Sequence, residues 1–307
     1  MATAETHRPV DARERIAELR DRITRDVGLG RLEVALERCD EAIDLAHTAD
    51  LGDEADLVFC IRSGIQIARG EGEGVVAPLR RILMASTSRL NRFQAAYTVS
   101  QFHDAEKDSE KSLFYAKQAL RYAEELDDPS VLGRAFNRLG NLLTLDSYFD
   151  EAAEHYRRAL DLQSSEDGVE RAIMLSNLGY CSTVLGHLRE GLDQLIASLR
   201  MLRRLHADRW SHLPHLGLSY ACLELGRVRS ARRHAREALR RAERNQAYDP
   251  HAKNALYLLG EAEKQLGDDV AAYERFAELQ RRFYAEQPFV VDVLMATDIR
   301  KMINLMA

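Results

Sequence analysis

The chain repeats itself every 37 to 41 residues, and a period of that length constrains the fold more than any single residue does. The clearest copy runs from Phe136 to Leu162, where Phe136, Leu139 and Gly140 are followed by Ala152, Tyr156 and Ala159. Leu175, Leu178 and Gly179 restate the first half, and Leu256, Leu259, Gly260, Ala272 and Phe276 restate both halves. Aligned on these positions, the units begin at Ile16, Asp56, Phe93, Gly133, Ala172, His212 and Lys253, with the register clearest from Phe93 to about Arg282. Such a period describes an array of small helical units, each completed by its neighbours because none can bury its apolar face alone.

Two positions in the unit carry specific physical demands. The fifteenth, where the first helix must end and the chain turn, holds Gly30, Gly70, Lys107, Ser147, Gly186, Gly226 and Gly267. Glycine enters the left-handed conformation of a helix C-terminus without steric cost, so five glycines in seven place a turn there. The eighth position, where two helices cross, holds Ser63, Ser100, Gly140, Gly179, Ser219 and Gly260, with Ile23 the exception. Leu, Ala, Arg and Glu dominate while Gly (17) and Pro (6) are scarce, which favours helix throughout. Asp128-Pro129-Ser130 reads as a unit boundary, as do the polar runs at Ser164 and Ala247.

The Leu-Gly pair followed by A-x3-F resembles the tetratricopeptide repeat superfamily, and the likeness covers nearly the whole chain. The standard unit there is about 34 residues, so a period near 40 implies helices longer by about one turn. In this the chain is similar to the extended repeats of kinesin light chain, of the spindle-orientation adaptors and of bacterial peptide-sensing regulators. The resemblance implies a right-handed, all-α solenoid of helical hairpins in which the first helix of each unit lines a concave groove. In those families the groove holds a peptide or partner segment, and asparagines on the first helix often bind its backbone.

Inward-facing sites under that resemblance are positions two, five, six and nine, which share one helix face. They give Gln94, Tyr97, Thr98 and Gln101, then Arg134, Asn137, Arg138 and Asn141. Later units add Ser176, Asn177 and Tyr180, then Leu213 and Tyr220, then Asn254, Tyr257 and Glu261. Asn and Gln carry donor and acceptor together, which suits the unpaired amides of an extended peptide, and tyrosine adds flat apolar area with a polar tip. The candidate peptide-binding set is therefore Tyr97, Gln101, Arg134, Asn137, Arg138, Asn141, Asn177, Tyr180, Tyr220 and Tyr257. Arg134 and Arg138 beside two asparagines point to an acidic or carboxylate-bearing partner. The full basic set of the chaperone carboxylate clamp is not reproduced. An output domain ahead of the repeats, usual in the bacterial sensors, has no counterpart here, which argues against a direct transcriptional role.

Other features read as structural. Residues 189 to 244 hold thirteen arginines against six acids, a net of +7 in a chain whose total is −6. Most lie on second helices, which face outward in this architecture, so a solvated convex face is expected; docking of RNA on that face, or peptide sensing through a change of superhelix, is the alternative function. His206, His212 and His215 surround Trp210, but no third ligand stands at metal spacing, and Trp210 is expected to seal a seam between units. Cys39, Cys60, Cys181 and Cys222 fall among apolar neighbours as small hydrophobes of a reducing compartment. No phosphate-binding glycine loop, nucleophile elbow or H-E-x-x-H helix is present, and ARGEGEG at Ala68 reads as a turn. No run approaches the ~18 apolar residues of a membrane-spanning helix, and no signal-like apolar region opens the chain.

The expectation is a cytoplasmic, non-enzymatic adaptor without cofactor or metal, holding a protein or peptide segment. Residues 1–12 are expected to be disordered, 13–286 to form about seven hairpins and 287–307 a capping helix. Val291, Leu294, Ile299 and Met302 carry the helical spacing of that last segment. The sequence leaves open whether it caps the stack or occupies the groove. It also leaves open a third role, a self-assembling scaffold whose end repeats stack between chains.

Overall fold

The computed structural model describes residues 9–162, 168–244 and 249–305. Of the expected disorder over residues 1–12, the first eight residues lie outside that range, as do most of the turns at Ser164 and Ala247, whereas residues 9–12 form the start of the first helix and Ala12 is buried. Among the described residues the chain is all helix and loop: fifteen α-helices and one short 3-10 turn. It is a tetratricopeptide-type helical solenoid, and its contacts group into two compact units, residues 1–142 and 143–307.

The recurring turn organises both units. Seven times the fifteenth residue takes a positive φ, from 59° at Lys107 to 86° at Gly186. Seven times its N–H bonds the carbonyl three residues back while the next N–H bonds five back, as in Gly226 to Leu223 and Arg227 to Cys222. That double bond satisfies carbonyls the helix end would otherwise orphan. Lys107 and Ser147 adopt the same geometry without being glycine.

In the first unit α1 (Pro9–Leu29) packs on α2 (Leu32–Thr48) and α2 on α3 (Gly52–Ala68). Ala12, Ile16, Leu19 and Ile23 recur at helical spacing and bury against Ala35, Cys39, Ala42 and Ala46. The small side of this crossing is supplied by α2, which is why Ile23 is tolerated at position eight. α4 (Val76–Ala85) has only ten residues, which accounts for the 37-residue spacing of its unit. Its backbone lies on α5 (Arg89–Ala105), meeting α3 through the shared apolar cluster of Cys60, Leu79 and Val99. α5 pairs with α6 (Ser109–Glu124). α7 (Pro129–Leu145) starts as expected: Asp128 Oδ1 accepts from the N–H groups of Ser130 and Val131, and proline occupies the first helical position.

In the second unit α8 (Phe149–Leu162), α9 (Val169–Val184), α10 (Leu188–Arg204), α11 (His212–Glu224), α12 (Val228–Arg244), α13 (Asp249–Gln265) and α14 (Asp269–Phe283) each pack on the next. First helices α9, α11 and α13 also lie side by side. A Cβ on Gly179 would stand 2.7 Å from Leu195, and one on Gly260 2.5 Å from the Phe276 ring. The L-G and A-x3-F positions therefore meet at helix crossings.

The C-terminal segment departs from the expected closing helix. α15 spans only Val290–Ala296, and residues 297–305 are irregular. Gln280 accepts from the Val291 N–H at one end, and Lys264 Nζ donates to the carbonyls of Leu294 and Thr297 at the other. Asp298 then accepts from the Arg300 N–H, a local turn that competes with further helix. Of the residues that carried the helical spacing, Met302 is 79% exposed.

Candidate peptide-binding face

The predicted stripe divides into two parts with different uses. In the first unit most of its polar groups are spent on neighbouring helices. Thr98 Oγ1 donates to the Cys60 carbonyl, Gln94 Oε1 accepts from Arg134 Nη2 at 2.8 Å, and Gln101 lies over Gly64. The Arg134 guanidinium stacks over Phe93 and Tyr97. Arg138 is buried and makes four bonds, to Ser100 Oγ, the Ser100 carbonyl, Ser112 Oγ and Asp104 Oδ2, all between 2.9 and 3.1 Å. The guanidinium expected to meet a partner's carboxylate is thus a bracket joining α7 to α5 and α6. Asn137 is buried beside it; Asn141 and Tyr97 are half-exposed.

In the second unit the stripe is occupied by the chain's own residues 298–305. The Tyr180 hydroxyl accepts from the Leu305 backbone N–H at 2.9 Å and donates to Asn304 Oδ1. The side chain of Asn254, itself buried, donates to the Leu305 carbonyl at 2.6 Å. Tyr257 donates to Asp298, and Asn304 Nδ2 donates to the carbonyls of Thr144 and Leu145 and to Ser147 Oγ. The segment thereby runs across the first helices α13, α11 and α9 to the last turn of α7. Phe149, Tyr180 and Tyr220 form an aromatic row beneath it, and Leu305 joins their apolar cluster. Tyr180, Tyr220 and Tyr257 are each at most 5% exposed. Burial pushes the phenol of Tyr220 up to about 12, with the Glu224 carboxylate adding to it, and raises those of Tyr180 and Tyr257 further. All three stay neutral hydrogen-bonding groups. Asn177 is buried on α9.

Charge is placed on the same face. Glu224 carries the stripe one turn beyond Tyr220 and pairs with Arg300 at 3.5 Å, both side chains nearly buried. Glu261, 1% exposed, pairs with Lys264. The four-position stripe omitted Glu224, although its i, i+4 relation to Tyr220 is visible in the sequence.

The remaining features resolve as follows. The four cysteines are buried and unbridged, their thiols raised by burial, Cys39 to about 12 and Cys181 to about 11. Trp210 packs against Ala172, Met201 and Leu202 at the seam of α9 and α10. His212 and His215 face different partners, His251 at 3.0 Å and His234 at 2.9 Å. On α12 the alanines at 231, 235, 238 and 242 are buried, leaving its arginines on the other faces. Arg240 and Arg241 pair with Glu237, while Arg229, Arg232 and Arg233 line an open surface cavity of about 540 Å3. No helix among the described residues is long and apolar enough to cross a membrane.

No protein-family model matches the chain. The tetratricopeptide repeat-containing protein trd-1 of Caenorhabditis elegans is 25% identical over 202 residues, 66% of this chain. The match spans 23% of that relative's length. Among solved structures, a Rap protein complexed with competence and sporulation factor superposes with a TM-score of 0.65 at 14% identity, covering 84% of this chain and 76% of that one. PilW, a type IV pilus biogenesis factor, gives 0.58 at 19% identity, covering 78% and 98%.

Proposed function

We propose that this tetratricopeptide-repeat chain is a non-catalytic adaptor whose second unit binds a partner segment across the first helices α9, α11 and α13. One observation carries the reading: both backbone polar groups of Leu305 are taken by stripe side chains, the N–H by Tyr180 and the carbonyl by Asn254. A face that captures main-chain amides through side chains binds a peptide largely without regard to its sequence, and the neighbouring pockets select it. The solved Rap complex, in which a repeat array of the same fold holds another molecule, supports this use of the fold. Preformed helices keep the ordering cost of binding on the ligand. The first unit, with Arg134 and Arg138 committed internally, serves chiefly as scaffold.

The test is selection of displayed peptides on the full chain beside its Tyr180→Phe, Asn254→Ala, Tyr257→Phe variant, both checked by circular dichroism. Peptides enriched by the wild type and lost by the folded variant are expected. Equal enrichment by both would overturn the assignment of this face.

A further inference from the structure

The occupant of the second unit's stripe is hydrogen-bonded through Tyr180, Asn254 and Asn304 but does not fill the face around it. A cavity of about 210 Å3 remains between the segment and the stack, lined by Asn254, Tyr257, Leu279, Val290, Ile299 and Ile303. The cavity opens to solvent on one side and leaves apolar wall that the segment does not cover. The ion pair is also loose. Arg300 Nη1 and Glu224 Oε1 face each other at 3.5 Å, and both atoms are buried without a hydrogen bond, while the close contacts of the guanidinium, 2.6 to 3.0 Å, go to Asp298 of its own segment. Met302 on the segment, and Phe289 and Val293 at the adjoining α15, leave apolar surface exposed. A closing element selected only to cap a stack would be expected to cover this wall and bury these side chains.

Resting on the binding reading above, we infer that residues 298–305 are a resident stand-in for the ligand, displaced when the partner binds. The stand-in names the partner's chemistry. It is a short cationic segment whose arginine meets Glu224 and whose asparagine and apolar residue follow four and five positions later, as Asn304 and Leu305 follow Arg300. An arginine free to reach both oxygens of Glu224 out-competes Arg300, and an apolar group entering the cavity replaces contacts the stand-in lacks. The tether gives the resident segment an effective concentration on the order of millimolar, so the face is shielded from weak ligands and opens to strong ones.

A fluorescent peptide of residues 297–305, and the same peptide with alanine in place of its arginine, are titrated into the full chain and into its Arg300→Ala, Asn304→Ala variant. The variant keeps every groove residue and loosens only the occupant. Expected is binding of the arginine peptide at least about tenfold tighter to the variant than to the wild type, and about tenfold weaker binding of the alanine peptide. If the variant binds neither probe, yet peptides selected on the wild type still bind through Tyr180 and Asn254, the stand-in inference falls and the binding face stands. If selected peptides also fail, both fall.

Discussion

Tyr180 and Leu305 stand 125 positions apart in the chain, yet the phenolic oxygen of one accepts the backbone N–H of the other at 2.9 Å. Tyrosine on a first helix is a weak helix former with no packing need for its hydroxyl. Here that hydroxyl is the end of a clamp whose other arm is Asn254. A side-chain clamp on a main-chain amide is the working part of the proposed adaptor.

The clamp should slow proteolysis within residues 298–305. Trypsin cleaves after Arg300 and Lys301; Arg300 is 13% exposed at its side chain and Lys301 79%, so protection at Lys301 rests on the backbone being held. Substituting Asn304→Ala removes its bonds to Thr144, Leu145 and Ser147, a loss of about 1–3 kcal/mol. Limited proteolysis read by mass spectrometry is expected to show cleavage at Lys301 accelerated about 5- to 100-fold. An unchanged rate would mean the bonds do not hold the segment.

Arg138 separates scaffold from binding site. Arg138→Ala removes the guanidinium that donates to Asp104 Oδ2, Ser100 Oγ and the Ser100 carbonyl, the last keeping only its Ser112 donor among side chains, and is expected to cost at least about 2 kcal/mol of stability by urea denaturation. Lysine should not rescue it, since three donors on one atom cannot bridge Ser100, Ser112 and Asp104 together. A change below about 0.5 kcal/mol would return Arg138 to the list of ligand contacts.

The repeat geometry predicts substitutions of opposite sign. Gly260→Ala places a Cβ 2.5 Å from the Phe276 ring, which is fully buried, and is expected to destabilise by about 1–3 kcal/mol. Lys107→Gly relieves a left-handed residue at φ 59° and is expected to stabilise by about 0.5–1 kcal/mol, the steric gain exceeding the entropy glycine adds to the unfolded chain. Thermal melts of the two variants check both signs.

Acid should weaken the second unit. Burial holds His212 down at about 4 and His215 and His251 at about 3, and lowers His234 as well. Within each pair one ring must donate to its neighbour's lone pair, so a proton added to that lone pair sets N–H against N–H and breaks the bond. Below pH ~6.5 the unfolded chain takes up protons that the folded one refuses, so stability falls as pH falls from there toward about 4. Each such histidine contributes up to about 1.4 kcal/mol per pH unit. Trp210, the single tryptophan, reports unfolding of this unit. The urea midpoint should drop between about pH 7.5 and 5.5, and less so in a His215→Gln, His234→Gln variant.

Periodicity made the turns and helix crossings legible, because each depends on a residue type at a fixed place in the unit. Even Lys107 and Ser147 took the turn that position demands. It could not show which stripe residues remain available, since bonds such as Arg138 to Ser100 depend on how neighbouring units pack. The end of α15 was hidden for a similar reason. Val291 and Leu294 do bury at helical spacing, but Lys264 caps the helix and Asp298 turns the chain before Ile299 and Met302 can continue it.

The most direct measurement is amide hydrogen exchange at Leu305 in the full chain, beside Tyr180→Phe and Asn254→Ala. Tyr180→Phe should raise the Leu305 exchange rate about tenfold or more while α11 and α13 keep their protection, with Asn254→Ala having a similar effect through the carbonyl. Exchange at Leu305 that is already unprotected in the wild type, or unchanged by both substitutions, would contradict the clamp.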